Sequence, residues 1–595
     1  MSDSQVNKFE QGIGKYFFRS SSKDFQKISG SPIAYWIGEK FRAAFQASEL
    51  GSISISKQGL ATGDNERFLR FWHETSFNSI NWSSLNLNDS KLMAGEWVPY
   101  SKGGSYRKWY GNGEYIVRWV DGGEEIRQFK DENGKEKSRF RAADFYFLPA
   151  VTWSLTSSSA FGCRYRPAGS VFDINGMSLF PNNIEDSSKI LALLNSKVAD
   201  HILGILNPTM AFQIGDISSI PTIFPDEHNL AKNEKVSRFP PVVLSRNDWD
   251  ACETSWDFTS LQLLSPDYRQ STIKASYQML RAHWREMTLE MQRLEQENNR
   301  IFIDAYGLKD ELDAKVDLSE ITLTCNPHYR YGGDKSEEEL EALLLADTMR
   351  DLVSYAVGCM FGRYSLDKPG LILANQGETL ADYLAQVPEP SFPADDDNVI
   401  PLLDGDWFPD DITLRFRQFL RVAFGDAHYE DNLAFIEQAL NVKGKRNYSL
   451  RDYFLSEFYA DHVKRYKKRP IYWLFSSPKG TFSALVYLHR YRPDTVSVVL
   501  NYLRDFRKKL ASRLDYLQQV AINPSASQSE KTKASKEADT IKKQLIELDD
   551  YERDTLYPLA TEQVELDLDD GVKVNYLKLG AALKKIVGLD AKGED

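Results

Sequence analysis

Ser187 to Leu206 reads SSKILALLNSKVADHILGIL. In it Ile190, Leu191, Leu193, Leu194, Val198 and Ile202 recur at the three- and four-residue spacing that lines one face of a helix, which predicts a helix over 187–206. The preceding chain is patterned differently. Short apolar runs at 115–120, 145–148 and 170–174 are punctuated by Gly, Ser, Asn and Pro and read as strands joined by turns. One helix beside many short strands predicts an α+β chain whose mixed, β-rich first domain covers residues 1–240. We end that domain in the polar, proline-marked segment Asp226 to Pro241.

The rest of the chain reads as helix. Tyr268 to about Tyr306 is rich in Glu, Arg, Gln, Met and Leu and has no Gly or Pro, so 241–335 is expected to be a long helical spacer that breaks at Gly307. A mainly helical carboxy-terminal domain, 336–595, follows. Within it 335–385 is expected to be mostly helical with a tight aromatic turn at Gly358–Tyr364, and Pro388–Pro401 to be a surface loop or linker. Arg469–Leu488 reads as a strand, a turn and a second strand or helix. Helices at about 495–520 and 529–556 flank Asn523–Ser527 and predict a helical hairpin near 495–556, since a Pro- and Ser-rich break between amphipathic runs closes most simply by antiparallel packing.

Composition limits what the chain can be. At 595 residues with 42% hydrophobic content, it can bury several cores. No stretch approaches a membrane span and the amino terminus is polar, so no membrane partner and a cytoplasmic location are expected. Cys163, Cys252, Cys325 and Cys359 lie far apart without metal-ligand spacing and read as buried thiols. The net charge of −12 argues against a uniformly basic DNA-coating protein. Charge is unevenly distributed, however: residues 443–492 hold twelve Lys or Arg against three Asp or Glu, whereas Glu547 to Asp570 is dominated by acids.

Catalytic constellations are weak. The pair Gly12 and Gly14 follows no apolar strand, so it does not read as a cofactor loop. Asn326-Pro327-His328-Tyr329 is the nearest approach to the Asn-Pro-Pro-Tyr loop that holds an extruded adenine. It lacks the second proline and reads as a strand-to-turn boundary. The eight histidines are dispersed. Pro409-Asp410-Asp411 begins a nuclease-like pattern that no Glu-x-Lys completes. No catalytic, cofactor-binding or metal-ligating residue is therefore expected, and no cofactor on this chain.

Candidate DNA contacts come from residue type. Bases are read by Arg or Lys at guanine and by Asn or Gln at adenine. Lys57, Gln58, Thr62, Asn65, Arg67 and Arg70 combine these types around Gly59 and Gly63. Lys102, Arg107, Lys108, Trp109, Tyr110 and Asn112 do so between Gly103-Gly104 and Gly111. Arg164 and Arg166 precede a turn and are a third candidate. Lys443, Lys445 and Arg446, with Lys464, Arg465, Lys467 and Lys468, are expected to grip phosphates.

Several segments carry a resemblance. Ser31-Pro32-Ile33-Ala34-Tyr35-Trp36, the run from Gln58 to Phe68, YSKGGSYRKWYGN at 100–112, RPIYWLFSSPK at 469–479 and DDGVKVNY at 569–576 are similar, in order, to the PglX-type adenine-specific methyltransferases of bacteriophage-exclusion (BREX) systems. The run 187–203 followed by Ile214-Gly215-Asp216-Ile217 resembles the closing part of a TaqI-like specificity domain, in which a short strand would follow the helix. The resemblance implies the carboxy-terminal, target-recognition and helical half of such an enzyme. Its expected partners are double-stranded DNA, a catalytic domain or subunit that uses S-adenosylmethionine, and other BREX proteins. The alternative is a helical assembly protein of a defence complex that binds DNA weakly and without sequence preference.

Overall fold

Short, mostly buried strands build the first sheet, with Ala150–Trp153 buried at every position. The computed structural model describes residues 21–589 except 27, 29, 93, 94, 158 and 226–234. Gly12, Gly14 and most of the expected boundary segment Asp226–Pro241 lie outside the described residues. The chain forms two compact units, neither continuous in sequence. One contains the described residues up to Phe68, with Asn81–Trp249 and Trp284–Gly332; the other contains Leu69–Ile80, Asp250–His283 and the chain from Gly333 onward.

In the first unit, strands Ser54–Lys57, Ser178–Pro181, Ala150–Trp153 and Cys163–Arg166 lie side by side in that order, all antiparallel, with Val151 opposite both Leu179 and Tyr165. A second sheet pairs Trp97–Ser101 antiparallel with Tyr115–Arg118 and parallel with Val171–Phe172. The expected strand at 145–148 is absent; Ala143–Phe145 is a 3-10 turn. Ile190, Leu191, Leu193, Leu194, Val198 and Ile202 are all buried, in one core with Val151, Trp153, Cys163 and Leu179.

The helix over 187–206 is two helices, Ser187–Leu194 and Lys197–Leu206. Asn195 and Ser196 account for the break. The Asn195 side-chain oxygen accepts from Cys163 N–H at 3.0 Å and its nitrogen donates to Cys163 O at 3.0 Å, pairing with the edge strand as a neighbouring residue would. The Ser196 hydroxyl then accepts from the Ala199 N–H and caps the second helix. Asn195→Ala leaves the Cys163 N–H buried and unpaired, while Cys163 O keeps its bond from the Trp109 N–H at 2.8 Å. It is expected to lower the unfolding free energy by about 1–3 kcal/mol, seen as a reduced urea midpoint at unchanged slope.

Two further expectations change. Ile214–Ser218 is a helix and not a strand, because the Asp216 carboxylate accepts from Gln213 N–H at 3.0 Å and closes the first turn. Pro240-Pro241, read as an irregular boundary, opens the helix Pro240–Asp250. Proline suits that position, since the first helical N–H has no intrahelical partner to lose.

The long helix Ile273–Ala305 begins after the predicted Tyr268 and ends before Gly307, whose φ is +68°. Its residues to His283 belong to the second unit and those from Trp284 to the first. In the second unit, Ser336 caps the helix Glu337–Met360 through the Glu339 N–H. That helix includes Gly358 to Met360, so the aromatic turn begins later than expected, at Gly362 (φ +74°). Pro388–Pro401 is not a surface loop throughout: Phe392 and Ala394 are buried, and Val399–Pro401 is a strand beside Ser483–Tyr487, which pairs in turn with Tyr472–Ser476. Thr495–Ile522 and Gln528–Tyr551 form the expected helical hairpin, with Leu503, Phe506 and Leu510 in one core with Ala534, Ala538 and Ile541. The architecture is α+β. Among the described residues no helix is long and apolar enough to cross a membrane, and no group of three or more His, Cys, Asp or Glu is placed to hold a metal.

Candidate nucleic-acid interface

The glycine-bracketed segment 102–112 turns inward. Positive φ at Gly103, Gly104 and Gly111 lets the chain fold back on itself; a Cβ on Gly111 would come within 2.7 Å of Arg107 Nε. Arg107 is 2% exposed. Its guanidinium donates to Asp248 Oδ2 at 2.9 Å, to Ser245 O at 2.9 Å and to Tyr110 O at 2.6 Å. Asp248 also accepts from the backbone N–H groups of Thr324 and Cys325. Burial alone would raise the Asp248 pKa; Arg107 and these N–H groups outweigh it and hold the carboxyl below its usual range.

The next two residues share one acid. Lys108 Nζ lies 2.8 Å from Glu295 Oε2, and Trp109 Nε1 donates to Glu295 Oε1 at 2.7 Å. Burial alone would depress the Lys108 ammonium; Glu295 prevails and holds it above the usual lysine range. Trp109 sits at φ +72°, a left-handed conformation that a bulky side chain adopts at a cost of roughly 1–3 kcal/mol. Its buried indole and the Glu295 bond offset that cost.

The expectation that this loop faces DNA is therefore corrected for Arg107, Lys108, Trp109 and Asn112, all buried. The Asn112 amide donates to Ser105 O within the loop. Arg164 and Arg166 are buried too: Arg164 donates to Arg107 O and Ser154 Oγ, while Arg166 donates to Leu148 O with its guanidinium 4.7 Å above Phe172. Side chains sealed from water in this way are not presented to a base or phosphate. Tyr110 is half-buried against the core, and Lys102 is half-buried with its ammonium 4.7 Å over Tyr115.

The earlier loop divides in the same way. Thr62 is buried and its hydroxyl donates to Asn65 Oδ1, which removes it from the candidates. Asn65 and Arg67 are exposed, Arg67 beside Glu125 at 2.7 Å. Lys57 and Gln58 are half-buried; the Lys57 ammonium lies over Phe145, and Gln58 Oε1 accepts from Arg141 at 2.7 Å. Arg70 falls in the second unit, where it donates to Asp569 O at 3.1 Å. That bond makes it a structural residue there.

In the second unit, Lys443, Lys445 and Arg446 are exposed around Gly444, with Lys445 paired to Glu457 at 3.1 Å. Lys464, Lys467 and Lys468 are exposed at the end of the helix Tyr459–Arg465. Lys467 and Lys468 both have positive φ, +49° and +62°, in a turn closed by bonds from their N–H groups to Lys464 O and Val463 O. Arg465 points instead to Asp351 at 2.6 Å, which identifies it as a brace between helices.

Asn326 does not fit the role of an adenine-holding asparagine. It is fully buried, donates to Leu318 O and Ile321 O, and accepts from the His328 N–H. It is the cap of the helix Pro327–Tyr331, not a strand end. One exposed element escaped the sequence reading: the basic ribbon at 129–141, whose Asn133-Gly134 turn is a recognisable hairpin signal.

No protein-family model matches the chain. It is 37% identical over 590 residues to the adenine-specific methyltransferase BrxX of Escherichia coli O9:H4 (strain HS). It is 36% identical over 586 residues to the adenine-specific methyltransferase PglX of Lacticaseibacillus casei (strain Zhang). Each match covers 96% of this chain and 46% of the relative, so the chain spans about half the length of the curated relatives it matches. The expected carboxy-terminal half is corrected accordingly: 46% is a share of length and assigns no end of those proteins.

Proposed function

We propose that this chain is the DNA-recognition part of an adenine-specific methyltransferase of the BREX type. The single observation that carries this reading is similarity along 96% of the chain to two proteins named as adenine-specific methyltransferases. The first unit, with its TaqI-like strand and helix pattern, selects a duplex site. The exposed lysines of the second unit hold phosphates. Methyl transfer from S-adenosylmethionine to adenine N6 takes place in a catalytic domain or subunit outside these residues, since Asn326 is committed to its cap. Methylation of host DNA in the cytoplasm then distinguishes it from phage DNA, with other BREX proteins as partners.

The test is selection of duplexes from a randomised library by the full chain, followed by sequencing of the bound fraction. Enrichment of one short motif, with each mismatched base pair costing about 1–3 kcal/mol, is the expected result. A bound fraction no different from the input would overturn the reading and favour a helical assembly protein that touches DNA only through its lysines.

A further inference from the structure

Phe129 to Arg141 reads FKDENGKEKSRFR, and the structure folds it into a short hairpin, here called the ribbon, closed by one antiparallel bridge. Lys130 and Glu136 are bridged, Asp131 N–H donates to Lys135 O at 2.8 Å, and Lys137 N–H donates to Phe129 O at 3.0 Å. At the tip the Asp131 carboxylate accepts from the N–H groups of Asn133 and Lys135, both at 2.9 Å, and Gly134 turns the chain at φ +78°. The tip is thus shaped by its own backbone, which leaves the side chains of Glu132 and Asn133 exposed and pointing outward.

The ribbon is anchored to the loop that begins at Gln58. Ala61 and Arg139 exchange both backbone hydrogen bonds, at 2.8 and 3.1 Å, and Arg141 donates to Gln58 Oε1. A Cβ at Gly63 would come within 2.8 Å of the Lys137 backbone, so the two segments are in van der Waals contact. The Ser138 hydroxyl is buried and donates to Ile126 O, fixing the ribbon's base. Lys130, Lys135, Lys137 and Arg139 are exposed, and none of them forms an ion pair among the described residues. Lys137 and Arg127 lie over the rings of Phe129 and Phe140. Glu132 and Glu136 are the exposed acids of the same ribbon.

We infer that this ribbon enters the major groove of the duplex, with Asn133 and Glu132 at base edges and Lys130, Lys135 and Lys137 on flanking phosphates; this rests on the proposed DNA-recognition reading. Three properties support it. The major groove is wide enough for a two-stranded ribbon, and so for a hairpin of the same two-chain width. Asn pairs with adenine and Glu accepts from the cytosine amine, so both tip residues are types that distinguish bases there. Cationic groups with no carboxylate partner keep their charge available to phosphates, whereas the Arg107 guanidinium and the Lys108 ammonium are already neutralised by buried acids.

The experiment uses the full chain and the motif found by selection. Asn133→Ala should reduce the ratio of affinities for matched over singly mismatched duplex by roughly 5- to 150-fold at one base pair, with affinity for unrelated duplex nearly unchanged. Lys130→Ala/Lys135→Ala/Lys137→Ala should weaken binding to all duplexes alike and lower the slope of log affinity against log salt by about 2–3 units. All four positions are exposed, so circular dichroism and Tm should match the parent. If the parent chain selects a motif and neither variant changes ratio or slope, the ribbon is not the reader and this inference falls while the DNA-recognition reading stands. A parent chain that selects nothing overturns both.

Discussion

Asp248→Ala is expected to lower the unfolding free energy by about 3–5 kcal/mol, because it leaves the Arg107 guanidinium charged, buried and without its acid. It also removes the acceptor for the Thr324 and Cys325 N–H groups. Asp248→Asn keeps the shape and part of the bonding and should lose less. The same carboxylate sets an acid limit. Its pKa is lower folded than unfolded, so its contribution is complete above the ordinary carboxylate value of 3.8 and is lost as pH falls through the lower, folded value. Thermal unfolding from pH 7 to pH 2 should show a steeper acid loss in the parent than in Asp248→Asn. Equal slopes would mean that the carboxylate titrates alike in both states.

Lys464→Ala/Lys467→Ala/Lys468→Ala should lower the salt slope of DNA binding by about 2–3 units, since each phosphate contact contributes roughly 0.9. Arg465 has a different role. Its bond to Asp351 makes it part of the fold, and including it would mix loss of structure with loss of grip. The triple variant should affect every duplex equally, with unchanged preference between matched and mismatched sites. An unchanged slope would place these lysines on a merely solvated face.

How legible was the molecule in its sequence? Periodicity carried the long elements, because a helix such as Thr495–Ile522 repeats its apolar spacing over many turns. The strand pair Tyr472–Ser476 and Ser483–Tyr487 was likewise readable from its apolar runs and the Ser-Ser-Pro-Lys-Gly turn between them. Breaks made by one side chain were not readable: Asn195 interrupts a perfect apolar stripe because it pairs with Cys163, which no local pattern announces. The Arg107 loop failed for the same reason. Arg, Lys and Trp among glycines look identical whether their partners are phosphates or acids, and here those acids are Asp248 and Glu295, 141 and 187 residues downstream. The 129–141 hairpin escaped the sequence reading although Asn133-Gly134 signals its turn, because no local pattern shows the loop it leans on.

The discontinuity of the second unit also bears on synthesis. Arg70 bonds to Asp569 O across 499 residues, and the Glu74 carboxylate accepts from the Val572 N–H across 498. A ribosome adding about 5–20 residues per second delivers those partners some 25–100 s after Leu69–Ile80 has emerged. Phe71 and Trp72, buried in the folded unit, must therefore wait through that interval without their final surroundings. The second unit is therefore complete only after Val572 has been made, long after its first segment.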